Sequence, residues 1–133
     1  MSILGTRVVR IEDPRFLKGE GTYIGNLPME GALHLTFVRS PIAHARITSF
    51  DASEALSMPG VRAVWTATDI DLPPAPPAHG FMNKGIVFPY LAIDTVRYVG
   101  DLVAVVVSDD KTTGTDAAET VIVDYEPLPV LLD

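Results

Sequence analysis

The chain has 133 residues, no cysteine, and 17 Asp and Glu against ten Lys and Arg, a net charge of -7. That balance argues against nucleic acid and anionic membrane as partners. The lack of cysteine excludes disulfides, thiolate zinc sites, Cys-ligated iron–sulfur clusters and cysteine nucleophiles.

The elements follow in chain order. Asp13 can cap a single helical turn that Pro14 opens and Gly19 stops, and Gly19, Gly21, Gly25 and Asn26 then mark a bent connection. Residues 32–39 alternate Leu33, Leu35 and Phe37 with His34, Thr36 and Val38, the period of a strand. Ser40-Pro41 breaks it, and residues 45–50 read as a second strand. Asp51 and Glu54 have capping-box spacing for a short helix that Pro59-Gly60 ends. A third strand over 61–67 carries Trp65, the only tryptophan. Residues 72–89 lose periodicity, with Pro73, Pro74, Pro76 and Pro77 clustered, so a long loop is expected there, mobile or ordered by another chain. Order resumes at 95–99, turns at Gly100-Asp101, and continues in the β-branched run 102–107, which reads as a central strand covered on both faces. Thr112 or Thr113 can cap a helix through Ala117 and Ala118, weakened by Gly114, before a last strand over 121–125 and an extended proline tail. The pattern predicts an α+β domain: a mixed β-sheet, two main helices on one side and the long Pro-rich loop.

With 47% hydrophobic and 20% charged residues the chain can bury a core. Its mean hydropathy of +0.26 points to a very buried sheet or to a surface meant for a partner. No apolar run approaches the ~20 residues of a membrane span, and residues 1–10 hold no continuous apolar stretch of a secretory signal, so a cytoplasmic location is expected.

The residue types that carry chemistry do not assemble into a pattern. His34, His44 and His79 have no metal-ligand spacing. Ser40 and His44 lie four apart, but no Gly-x-Ser-x-Gly elbow or orienting acid accompanies them, so Ser40 reads as a turn residue. Gly19, Gly21 and Gly25 are one residue too long in spacing for a dinucleotide fingerprint. The pairs Asp69/Asp71 and Asp109/Asp110 do not continue into a calcium loop and read as turn acids. Trp65, Phe37 and Tyr98 lack a basic groove and read as core or interface. No catalytic, cofactor-binding or metal-binding residue is assigned.

Taken in series, the segments say more. Arg10-Ile11-Glu12-Asp13, Gly19-x-Gly21-x-Tyr23, Phe37-Val38-Arg39-Ser40-Pro41 and Ala43-His44-Ala45-Arg46-Ile47 appear in order. Pro59-Gly60-Val61, Val96-Arg97-Tyr98-Val99-Gly100, Ala117-Ala118-Glu119 and the run from Val123 to Pro129 follow. Together they resemble the N-terminal α/β hammerhead domain of the molybdenum-binding large subunit in the xanthine dehydrogenase, aldehyde oxidase and aerobic carbon monoxide dehydrogenase family. The chain departs from that pattern at Asn26, at Asp101 and across residues 111–116, where the family often has an acid, a Gln or Glu, and an Ala- and Arg-rich helix.

The resemblance implies one hammerhead domain over 1–133, with an N-terminal extension over 1–31 and the Pro-rich loop at 72–89. It implies a noncatalytic structural or assembly role within an oxidoreductase that uses water as its oxygen source, the isolated chain being inactive. The molybdopterin-type molybdenum cofactor is expected on later segments of the large subunit, and 2Fe-2S and FAD on partner subunits. The alternative is a free-standing binding or assembly module with the same fold. An apolar face that the rest of the protein covers is expected, with residues 127–132 as a candidate part, and the isolated domain is expected to self-associate through it.

Overall fold

The computed structural model describes residues 10–76 and 87–130, together with Gly5 and Asn83. Two compact units divide the chain, Met1–Gly31 and Ala32–Asp133.

In the first unit, α1 (Asp13–Leu17) is one short turn with Pro14 at its start, followed by a 3-10 turn at Ile24–Asn26. Asp13 does not cap it. The backbone is already helical at Glu12, so Asp13 is the first residue of the turn and its N–H donates to the Arg10 carbonyl. The bend beyond Gly19 is held by Arg15, whose Nε donates to the Glu20 carbonyl (2.8 Å) and Nη2 to Thr22 Oγ1 (2.6 Å). Phe16 and Tyr23 stack with ring centroids 5.9 Å apart.

The second unit holds β1 (His34–Arg39), β2 (Ala45–Asp51), α2 (Ser53–Ser57), β3 (Val61–Thr66), β4 (Thr95–Val96), β5 (Leu102–Ser108), α3 (Lys111–Thr120) and β6 (Ile122–Pro127). The α+β class holds, but the sheet is not mixed. Two three-stranded sheets form, ordered β1-β5-β3 and β4-β2-β6, and every described pairing is antiparallel. The reason is topological: β1 and β3 run the same way, and β5 inserts between them, antiparallel to both.

Helices α2 and α3 pack on one face of the β1-β5-β3 sheet and enclose a core of Val38, Ala55, Ala104, Val106 and Ala117. A second core, Ala45, Ala92, Val96 and Val103, lies under the β4-β2-β6 sheet, and Phe50 and Val123 pack against both. These cores decide which of the two alternating sets of β1 faces inward. Side chains alternate across a strand, and here Thr36 and Val38 face the helices while Leu35 and Phe37 point away. The central strand β5 is buried from Val103 to Ser108, yet the helices cover only one of its faces.

The caps also differ in detail from expectation. Asp110, rather than Thr112 or Thr113, caps α3: its carboxylate accepts from the Thr113 N–H (2.9 Å) and hydroxyl (2.7 Å). Thr113 already spends its hydroxyl on Asp110, so the acid one turn earlier is the better acceptor for the orphan donors. Ala52 precedes α2, and Asp51 instead accepts the Ser53 N–H at 2.8 Å. The Pro-rich loop is pinned at its base by a bridge between Ala75 and Phe88, whose N–H···O bonds are 2.8 and 3.5 Å. Most of its tip, including His79, lies outside the described residues.

Gly114 explains why α3 lies so close to the sheet. A Cβ at this position would sit 2.5 Å from Ser108 Oγ and 2.6 Å from Thr36 Oγ1. Glycine in a helix interior costs about 1 kcal/mol relative to alanine, so by propensity alone Gly114→Ala would stabilise the chain. Overpacking of about 1–3 kcal/mol opposes this. Gly114→Ala is therefore expected to lower the urea midpoint; a raised midpoint would show that the helix does not depend on this contact.

Candidate functional site

Residues 37–41 and 96–101 converge on one corner of the second unit. At the end of β1 the chain turns at Ser40, which is buried and satisfies itself locally: its Oγ donates to the Ile42 carbonyl (2.8 Å) and accepts the Ile42 N–H (3.0 Å). The Ser40 backbone exchanges two further bonds with the β4–β5 connection. Its N–H donates to the Asp101 carbonyl, and its carbonyl accepts the Gly100 N–H, both at 2.8 Å. Gly100 has φ +93°, a left-handed conformation that side-chain-bearing residues rarely adopt, and this lets the turn fold back on Ser40.

Charged groups complete the latch. Arg39 Nη1 donates to the Gly100 carbonyl (3.0 Å), and the same guanidinium lies 5.9 Å from the Phe37 ring centroid. Asp101 Oδ2 accepts the Arg97 N–H (2.9 Å), while Arg97 Nη1 donates to the Thr95 carbonyl (3.0 Å). The negative charge of Asp101 pushes the Tyr98 phenol above its ordinary pKa, with desolvation adding to it and Arg39 opposing. Desolvation raises Tyr125, and the neighbouring Ser40 side chain opposes it. His44 is tied elsewhere. Its Nδ1–H donates to the Pro129 carbonyl (2.7 Å), and its own carbonyl accepts the Leu128 N–H (2.9 Å), fastening the extended tail to the start of β2.

The polar groups are therefore engaged in holding turns. Ser40 gives its hydroxyl proton to the Ile42 carbonyl and not to His44, whose Nδ1 proton goes to Pro129, so the hydrogen bond of a nucleophile–base pair is not formed between them. His34 is exposed at the start of β1. Asp109 pairs with Arg62 through two bonds of 2.7 and 2.8 Å, both side chains largely in solvent. Asp69 accepts from the Thr66 hydroxyl and N–H, both at 2.7 Å. Among the described residues no group of three or more His, Asp or Glu could hold a metal ion, and no buried side-chain N or O lacks a partner. A groove of about 490 Å³ beside the corner is lined by Phe88, Pro89, Ile93, Asp94, Arg97 and Tyr98, among others.

The chain's likeness to known proteins matches this geometry. The family described as aldehyde oxidase and xanthine dehydrogenase, a/b hammerhead domain, matches residues 18–129. The chain belongs to this family. It is 43% identical to the nicotine 6-hydroxylase large subunit of Paenarthrobacter nicotinovorans, over 99% of this chain and 16% of that protein. It is 45% identical to the carbon monoxide dehydrogenase large chain of Afipia carboxidovorans, over 98% of this chain and 16% of the relative. Among solved structures, reconstituted CO dehydrogenase from Oligotropha carboxidovorans superposes with a TM-score of 0.79 at 44% identity, covering 97% of this chain and 16% of that one. Quinoline 2-oxidoreductase from Pseudomonas putida 86 gives 0.77 at 40%, covering 96% of this chain and 17% of that one. The chain thus spans about a sixth of the length of these relatives. No described helix is long and apolar enough to cross a membrane.

Two of the segments that carry the resemblance, residues 37–41 and 96–100, form the two sides of the Ser40–Gly100 latch. Sequence reasoning identified the segments but not their contact. A buried Ser before Pro41 and a Gly-Asp turn gave no sign that they bond each other across about 60 residues.

Three carboxylates in the turns set a pH dependence. The Ser53 hydroxyl and N–H lower Asp51, the Thr66 hydroxyl and N–H lower Asp69, and the Thr113 N–H and hydroxyl lower Asp110. A folded pKa below the unfolded value means that the unfolded chain binds more protons in between. The stabilisation is therefore full above the ordinary carboxylate pKa of about 3.9 and is lost as pH falls through the lower folded values. Asp69→Asn with Asp110→Asn keeps acceptors in place but removes two titrations. Thermal melts between about pH 2 and 6 should then show a shallower acid limb than the unmodified chain; identical limbs would refute the assignment.

Proposed function

We propose that this chain serves as a noncatalytic structural and assembly domain of a molybdenum hydroxylase large subunit. The observation that carries the reading is the match of nearly the whole chain to a domain that makes up about a sixth of relatives acting as hydroxylases and dehydrogenases. On this reading residues 1–133 are one hammerhead domain, with 1–31 as its extension and 72–89 as its loop. The parent is an oxidoreductase that takes oxygen from water and works in the cytoplasm. Its electron pair leaves through 2Fe-2S and FAD groups on partner subunits.

A molybdopterin-type cofactor belongs to the remaining segments. The described residues of this chain do not fit it. A dianionic pyranopterin needs several donors converging on one cleft. Among the described residues, the groove beside Tyr98 offers two carboxylates, Asp94 and Asp101, and one cation, Arg97, already bonded to the Thr95 carbonyl. The engagement of Ser40, His44, Asp69, Asp109 and Asp110 in turns, caps and an ion pair supports a scaffold role.

The purified chain is expected to carry no molybdenum by elemental analysis and to reduce no dye with an aldehyde, a heterocycle or carbon monoxide. Activity is expected only when the remaining large-subunit segments and the electron-transfer subunits are supplied. Stoichiometric molybdenum on the chain alone would overturn the reading.

A further inference from the structure

The two sheets of the second unit treat their outward faces in opposite ways. On the β4-β2-β6 sheet the outward side chains are mostly polar, Ile122 being the apolar exception, and two polar pairs link β2 to β6. Arg46 stands 3.6 Å from Glu126, and the Ser49 hydroxyl donates to Asp124 at 2.5 Å. On the β1-β5-β3 sheet, directly opposed residues share a face, and the register sets two adjacent rows pointing away from the helices: Leu35–Val107–Ala63 and Phe37–Val105–Trp65. The polar groups at these rows are the indole N–H of Trp65 and the Arg39 guanidinium, which lies over the Phe37 ring at the edge of the face. Leu35 is 58% exposed, Phe37 42% and Trp65 43%. Val105 and Val107 are buried between their neighbours, so the exposed part of the rows is Leu35, Phe37 and Trp65 with half-buried Ala63. Apolar side chains scattered singly over a surface need no explanation, but bulky ones gathered around a buried strand mark a contact surface.

We propose that this face is the seat on which the rest of the large-subunit polypeptide docks, through an apolar helix or sheet face, an inference that rests on the assembly reading above. The occupant follows from two observations. The relatives continue for about five-sixths of their length outside the matched part, so a covering polypeptide is covalently at hand in them. Within this chain, α2 and α3 are already committed to the opposite face of the sheet. In the tail, the other candidate for an apolar surface, the backbone at Leu128 and Pro129 is fastened to His44, and residues 131 and 132 lie outside the described residues.

Trp65 gives a direct readout because it is the only tryptophan. The chain is labelled with 5-fluorotryptophan and mixed with the remaining large-subunit segment. Its 19F resonance should shift and become protected from a soluble paramagnet. Leu35→Glu and Phe37→Glu should weaken capture of that segment at least tenfold, whereas Arg46→Gln on the polar sheet should leave it unchanged. If either charged variant unfolds, the Trp65 measurement on the unmodified chain decides. Capture of the segment with Trp65 still open to the paramagnet overturns this assignment but leaves the assembly reading intact. A homodimer that protects Trp65 without the segment overturns it in favour of a second copy. Failure of the unmodified chain to capture the segment by any surface overturns the assembly reading itself.

Discussion

The close approach of α3 to the sheet at Gly114 decides the rest of the second unit. Only a residue without Cβ fits against Thr36 Oγ1 and Ser108 Oγ, so the helix-facing side of the sheet must carry small side chains at those points. Because a strand alternates, placing Thr36 and Val38 beneath the helix throws Leu35 and Phe37 to the other side. The buried residues record the same choice. Apart from Leu91, the buried apolar side chains are all Val or Ala, while Leu35, Phe37, Trp65, Phe88 and Tyr98 remain exposed. A thin core with its bulkiest hydrophobes outside is the reverse of the arrangement favoured for a chain that must be stable and soluble by itself. It suits a layer in a larger stack, where the second face is buried later.

What could be read from the sequence follows from which signals are local. The run 102–107 announced a central strand, and β5 is paired on both edges; the proline cluster announced the loop that leaves and returns at Ala75 and Phe88. The period of two in 32–39 was equally plain, but a period does not say which of its two faces is the core. Hydrophobicity favoured Leu33, Leu35 and Phe37, and the packing needs of α3 chose Thr36 and Val38. The glycine that made α3 look weak is what that packing requires. The corner at Ser40 and Gly100 escaped notice because its bonds are backbone to backbone, and residue types say little about those. The absence of parallel pairing was hidden for a related reason: which strand lies between β1 and β3 is a property of the whole chain path.

The latch and the open face are parts of one arrangement. Ser40 and Gly100 tie the end of β1 to the connection that enters β5, so the two strands are fixed to each other beyond their ladder. Arg39 adds a third tie to the Gly100 carbonyl while its guanidinium lies beside the Phe37 ring. The ladder slips between Val38 and Arg39, where β5 takes up one extra residue, and the bonds at Ser40 re-establish the pairing immediately past the irregularity. Without that closure, β1, an edge strand, would end at a bulge, free to twist, and the row Phe37–Val105–Trp65 would lose its alignment. A contact surface gains affinity when its side chains are held in place before the partner arrives, since less ordering remains to be done on binding. Two of the segments by which the chain resembles its family, residues 37–41 and 96–100, meet at this corner. They hold one edge of a sheet still, and the apolar rows on that sheet can then meet another surface without first having to be ordered.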